Sequence, residues 1–308
     1  MIWCCVILQD EGIITIILHQ ILYAKRKCNM KIFLPKTTKS LFLIAVGLSI
    51  STISEAHDFW LAPESYALEG PGHVDVSVLI GHPKERLNWP LQPHRIIGLR
   101  SIGPNGVSDH QAALADYQPS EALPIKLDSD GLHIMTIETT NAISVLKASK
   151  FNAYIEEEGI TPIKIDRVMQ GTTNEAGRET YSRRGKTLIQ VGEISEADPE
   201  YLLRPIGLTL EIVPLQNPAR LKQGEIFSSQ VFYRGVPVSG ATIGLINLQS
   251  KDENVILSKT DAGGFVKFER PPEGEWMLHV VWSDKLENND KAEYDTIFSS
   301  LSFKVFES

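Results

Sequence analysis

Short runs of alternating apolar and polar residues, closed by turns bearing glycine or proline, recur from residue 74 onward and restrict this chain to a mainly β fold. Val74-Asp75-Val76-Ser77-Val78-Leu79-Ile80 is the plainest, with Gly70-Pro71-Gly72 before it and Gly81-His82-Pro83 after it. Residues 95–102, 125–127, 131–139 and 186–191 read as further strands, and 103–106 as a tight turn. Beyond Arg204-Pro205-Ile206-Gly207 the pattern resumes at 208–213, 227–233, 265–268 and 301–306. Trp276–Trp282 is apolar on both faces, as a central strand is. Two stretches break the pattern: residues 149–159, ending in Glu156-Glu157-Glu158-Gly159, and residues 163–169 both read as helix. Residues 174–184 are polar and charged and carry no strand signal.

The expected architecture is two β-sandwich domains with a partly helical insertion between them. The first spans 57–204, with its helical segment near 149–185. The second spans 205–308, and its Gly235-x-Pro237-Val238-x-Gly240-Ala241 and Thr260-Asp261-Ala262-Gly263-Gly264-Phe265 turns look like those of Ig-like or transthyretin-like modules.

The stretch before residue 57 reads as a leader. Met30 is followed by Lys31, Lys36 and Lys39, then by an apolar run from Leu41 to Ile50, then by the small-x-small site Ser54-Glu55-Ala56. Ten apolar residues suit a signal core, since a membrane-spanning helix needs about 20. Residues 1–29 read as sequence upstream of the true start, and 30–56 as a signal peptide cut after Ala56. That places the mature chain in the periplasm, with no membrane span.

A cut there leaves no cysteine, because Cys4, Cys5 and Cys28 all precede it. Thiolate metal sites, cysteine nucleophiles and disulfides are excluded from the mature chain. Residues 1–56 carry six of the 30 Lys and Arg and three of the 38 Asp and Glu, so the remainder holds 24 basic and 35 acidic residues. A formal charge of −11 argues against nucleic acid as a partner and is compatible with cations. No G-x-S-x-G, H-E-x-x-H, CxxC or phosphate-binding glycine loop is present, and the chain is read as a non-enzyme.

Seven histidines follow the cut, six of them between residues 57 and 133. His57 would be the new first residue, able to chelate a divalent ion through its amino group and ring together. His82 ends a strand, where a loop could bring it to His57. His133 with Met135, and His279 with Met277, each share a strand face. Such pairs suit Cu(I), or they fill a core. The metal ligands expected are therefore His57, His82, His133 and His279, and the ion a divalent transition metal, Ni, Co or Cu. Asp58 is a further candidate beside His57. Two other readings stand beside this one: a non-catalytic Ig-like envelope module, and a copper enzyme built on a histidine brace.

Several motifs carry a resemblance over the whole mature chain. They are His57-Asp58-Phe59-Trp60-Leu61-x-Pro63, Gly81-His82, Tyr154-Ile155-Glu156-Glu157-Glu158-Gly159, Glu179-x-Tyr181-Ser182-Arg183-x-x-Lys186, and Pro205-x-Gly207-Leu208-x-Leu210-Glu211-Ile212-Val213-Pro214. Gly274-x-Trp276 and Ser300-Leu301-x-Phe303 complete the set. In this order they resemble a bacterial periplasmic family catalogued as a domain of unknown function and labelled NikM-like, the periplasmic component of a cobalt/nickel ABC transport system. The resemblance implies metal binding, a membrane transporter component as partner and a recurring histidine at position 57. Where that family often has Trp before the last strand this chain has Tyr294, expected as a packing substitution. The Glu179, Tyr181, Arg183 and Lys186 group is expected to form a structural polar network.

Overall fold

The computed structural model describes residues 58–82, 85–250 and 254–307. The expected leader, its expected cleavage site and His57 lie outside them. In chain order the strands are β1 (Phe59–Pro63), β2 (Ala67–Leu68), β3 (Gly72–Ile80), β4 (Leu87–Asn88), β5 (Ile96–Gly103), β6 (Gly106–Asp109), β7 (Leu123–Leu127), β8 (Gly131–Thr139) and β9 (Ala142–Leu146). Two helices follow, α1 (Ala148–Glu157) and α2 (Thr161–Gln170). Then come β10 (Gly177–Val191), β11 (Leu210–Pro214), β12 (Ile226–Tyr233), β13 (Val236–Pro237), β14 (Thr242–Asn247), β15 (Val255–Lys259), β16 (Phe265–Glu269), β17 (Gly274–Lys285) and β18 (Tyr294–Val305).

The fold is mainly β, and its two sandwiches share one sheet. The shared sheet runs β15-β14-β17-β18-β10-β8-β5-β6, with β2 and β9 also pairing with β10. β10 and β18 lie parallel from Glu179 opposite Tyr294 to Thr187 opposite Ser302. A small sheet of β1, β3, β4 and β7 covers part of one face, and a second small sheet of β11, β12, β13 and β16 covers the other. Between the shared sheet and the β1 sheet lies a core that includes Leu61, Val76, Ile125, Met135 and Ile137. Between the shared sheet and the β11 sheet lies another, including Ile212, Phe227, Leu278, Leu301 and Phe303. Strand β8 feeds both: Leu132 and Ile134 enter one core, Met135 and Ile137 the other, as period-two geometry requires. β17 is interior, paired to β14 on one side and β18 on the other, which explains apolar residues on both its faces.

The helices seal the rest of the β1-side face. α1 buries Phe151, Tyr154 and Ile155, at the spacing of one helical stripe, against Val281, Tyr294 and Phe298. α1 gives way at Gly159, whose φ of +65° suits a residue lacking Cβ. A Cβ there would also stand 2.0 Å from Thr242 Oγ1. α2 ends the same way, with Gly171 in the left-handed region.

The 174–184 stretch is where the sequence misleads. β10 begins at Gly177, not near 186, and runs for 15 residues. Glu179, Arg183, Arg184 and Lys186 are buried, and they find their partners across the fold. Glu179 accepts from Thr296 Oγ1 at 2.6 Å. Arg184 lies 3.4 Å from Glu138 and donates to the carbonyl of Thr139. Lys186 pairs with Glu211. The segment is polar because its partners are polar, and those partners are distant in the chain.

Candidate functional site

Four side chains from four separate segments meet where β1 enters the fold. Asp58 leads into β1 and is held by its backbone, whose carbonyl accepts from the Gly81 N–H at 2.9 Å. The β1–β3 register continues this contact, with Phe59 opposite Ile80. Gly81 has φ of +108°, and a Cβ on it would come within 2.9 Å of the Glu85 carbonyl. That turn sets the direction of His82, whose Nδ1 lies 3.8 Å from Asp58 Oδ2. On the far side of Asp58 is His279 of β17, its Nδ1 3.5 Å from Asp58 Oδ1. The same Nδ1 is 3.9 Å from Glu158 Oε2 at the end of α1.

The site is half open. The side chains of Asp58, Glu158 and His279 are 10–13 % exposed, and that of His82 is 40 % exposed. Burial pushes the Glu158 carboxyl up to about 7, Asp58 and Glu157 push the same way, and His279 and His82 oppose them. A carboxyl poised there exchanges its proton near neutrality. His279 Nε2 is buried and has no hydrogen-bond partner among the described residues. Such an atom calls for a further polar contact.

The sequence-predicted residues divide. His82 and His279 are brought together on Asp58. His57 lies outside the described residues, immediately before Asp58 in the chain. His133 is elsewhere, on β8, bonded through Nε2 to the Ser129 carbonyl at 2.8 Å. Neither methionine joins a histidine site: Met135 lies in the β1-side core, and Met277 packs with Trp60, Leu79, Ile246 and Leu248. Glu158 is absent from the sequence-predicted set, where Glu156-Glu157-Glu158 figures only as the acidic end of a helix. The signal was present, because Phe151, Tyr154, Ile155 and Glu158 follow i, i+3, i+4, i+7 spacing and place Glu158 on the buried stripe. Among the described residues no group of three or more His, Asp or Glu side chains forms a ready-made metal site.

A second polar feature lies on the same face of the shared sheet. Arg183 is buried, with its guanidinium 4.9 Å from the Trp89 ring, 5.0 Å from Phe298, 5.2 Å from Tyr181 and 5.9 Å from Phe59. Burial lowers its pKa. Glu179, on the same strand, is raised to about 7 by burial, against the pull of Thr296 and Arg183. Tyr154 lies between the two carboxyls, and burial together with Glu179 and Glu158 raises its pKa.

Comparison with curated proteins finds no match. Among solved structures, the D0-D1 domain of intimin is 11 % identical over 80 % of this chain and 98 % of its own, with a TM-score of 0.19. The Bacillus anthracis TIE protein is 11 % identical over 97 % of this chain and 63 % of its own, with a TM-score of 0.15. The sequence profile of one family, described as domain of unknown function DUF4198, matches residues 54–284, from the first residues of the Asp58 segment through β17 and its His279, and the chain belongs to that family.

Proposed function

We propose that the protein is a periplasmic binding protein for a divalent transition metal, Ni, Co or Cu(II), which it holds at Asp58, His82, Glu158 and His279. The observation that carries this reading is the meeting of His82 and His279 on Asp58, the residue after His57. Donors bonded to one ion at about 2.0–2.2 Å with tetrahedral angles lie roughly 3.3–3.6 Å apart. The His279–Asp58 separation of 3.5 Å falls in that span, whereas 3.8 and 3.9 Å lie beyond it, so ligation would draw His82 and Glu158 inward. Imidazole with carboxylate suits borderline divalent ions rather than Cu(I), and the absence of Met135 and Met277 from the cluster points the same way. Cleavage after Ala56 would add the amino group and ring of His57 beside Asp58. That would complete a coordination sphere that the described residues begin. Delivery to a membrane transporter component, and the NikM-like label, follow from the family resemblance.

The test is intact mass and metal titration on protein exported with its own leader. The reading expects a chain beginning at His57 that binds one Ni, Co or Cu ion, and binding that is lost in His279→Ala. A different first residue together with no saturable binding would sink it.

A second reading, an envelope interaction module, is favoured by one observation. Edge strand β15 exposes Val255, Ile256 and Leu257 next to the exposed Ile165, Val168 and Met169 of α2. A protein that binds no metal but pulls down an envelope partner through β15 would move the assignment there.

A further inference from the structure

The cluster is assembled from two halves. Glu158 and His279 belong to α1 and to an interior strand of the shared sheet, so the body of the fold fixes them. Asp58 and His82 sit on the lip of the small β1 sheet and need separate anchoring. Each is followed by an aromatic residue that turns inward: Phe59 directly after Asp58, and Trp89 at the end of the segment that starts with His82. These two rings meet edge to face, with centroids 5.4 Å apart. Both also lie against the guanidinium of Arg183.

Stability gives Arg183 a partial reason to be there, through Tyr181 and the buried Glu179. A buried guanidinium is costly, and an apolar residue of similar volume usually serves a core as well or better. Its Nε has no hydrogen-bond partner among the described residues. Its backbone is fixed independently, since its N–H donates to Thr139 Oγ1 at 3.0 Å and its strand is paired to β18 with Phe298 opposite. What the guanidinium adds is a flat cationic surface. It meets Tyr181 and Phe298, which belong to the shared sheet. It also meets Phe59 and Trp89, which belong to the segments carrying Asp58 and His82. A planar cation attracts ring faces at defined distances and directions, which an aliphatic chain does not.

We propose that Arg183 is the positioning residue of the acid–histidine cluster, clamping Phe59 and Trp89 so that Asp58 and His82 face Glu158 and His279. As a statement about metal binding this rests on the function proposed above. As a statement about the placement of Asp58 it stands without it. No hydrogen bond or ion pair joins the Arg183 side chain to the four cluster residues among the described residues, so its contact with Asp58 and His82 runs through the two rings.

The experiment compares wild type, Arg183→Met, Arg183→Lys and Val266→Ala, each as the full chain exported with its own leader. Val266 lies in the opposite core and controls for lost stability. Cobalt(II) titration and a crystal structure of each metal-free protein are the two readouts. The expected result is that both Arg183 variants fold, bind cobalt at least tenfold more weakly and show Asp58 displaced from His279 Nδ1, whereas Val266→Ala loses thermal stability with affinity unchanged. Arg183→Lys fails with Arg183→Met because an ammonium is a compact point charge without the planar, extended group that reaches both ring pairs. An Arg183→Met protein with Asp58 and His82 in place would overturn the proposal. If wild type binds no cobalt the metal reading falls, and the crystal structures alone decide whether Arg183 places Asp58.

Discussion

Lys186 Nζ donates to Glu211 Oε1 at 2.9 Å, and neither side chain reaches solvent. Lys186 also donates to the Ile212 carbonyl, while the Glu211 carboxylate accepts from the N–H groups of Ile206, Gly207 and Leu208. The pair therefore ties the middle of β10 to the turn that opens β11. It also accounts for two motifs, Arg183-x-x-Lys186 and Pro205-x-Gly207-Leu208-x-Leu210-Glu211, with one contact. Glu211→Gln strands a buried ammonium with a weaker partner. It is expected to cost about 3–5 kcal/mol in urea unfolding. Lys186→Met should cost less, because three backbone N–H groups remain on the carboxylate. Equal costs would mean that the ion pair, not the turn, carries the energy.

Glu158 makes stability depend on pH. Its folded value of about 7 exceeds the ordinary 4.5, so the folded protein holds this proton more tightly than the unfolded chain does. Metal-free stability then falls as pH rises from about 4.5 to about 7 and levels off above, by about 3 kcal/mol from this group. Glu179 acts in the same sense over the same window. Glu158→Gln should flatten part of the slope and be the more stable protein at pH 8. Urea midpoints for both proteins at pH 5 and pH 8 check this, and parallel slopes would count against it.

A bound divalent ion must displace the Glu158 proton, so affinity should fall as pH drops through 7. His279→Ala, Asp58→Ala and His82→Ala should each weaken nickel or cobalt binding at least about tenfold, with His133→Ala unchanged. Isothermal titration in two buffers of different ionisation enthalpy would show the released proton directly. Weakening by His133→Ala would relocate the site to β8.

Gly159 is constrained twice, by its φ of +65° and by Thr242 Oγ1, 2.0 Å from where a Cβ would stand. Gly159→Ala should cost about 1–3 kcal/mol and also displace Glu158. Adding Thr242→Gly, which also removes the Thr242 Cβ 2.8 Å away, should recover the steric part and leave the backbone part. Thermal melts of the three variants separate the two contributions. Full recovery in the double variant would show that the left-handed backbone costs nothing here.

Strands such as Val74–Ile80 and Trp276–Trp282 were legible because their burial is written in their own alternation. The helices were legible because α1 and α2 end in glycines and interrupt a β pattern. The start of β10 was not, since Glu179, Arg183 and Lys186 become buriable only through Thr296, the aromatic rings and Glu211, all distant in the chain. The cluster was half legible. His82 and His279 stood out as metal-type residues, but that they share Asp58 is a fact of topology. Their chain separation is bridged by β1 packing over β10 and β18, with Trp60 against Met277 of β17, and no local pattern encodes that.

The parallel pairing of β10 with β18 has a consequence for the order of assembly. β18, the last strand of the described chain, lies at the centre of the shared sheet and supplies residues to the core facing β11 and to the helical layer. The β11-facing core and the helical layer cannot close while residues 294–305 are missing, so β10 and β17 must wait, each unpaired along one edge, for the final stretch to arrive. A chain truncated before Tyr294 should lose the β11-facing core and the helical layer together, although the missing strand is adjacent in sequence to neither β11 nor the helices.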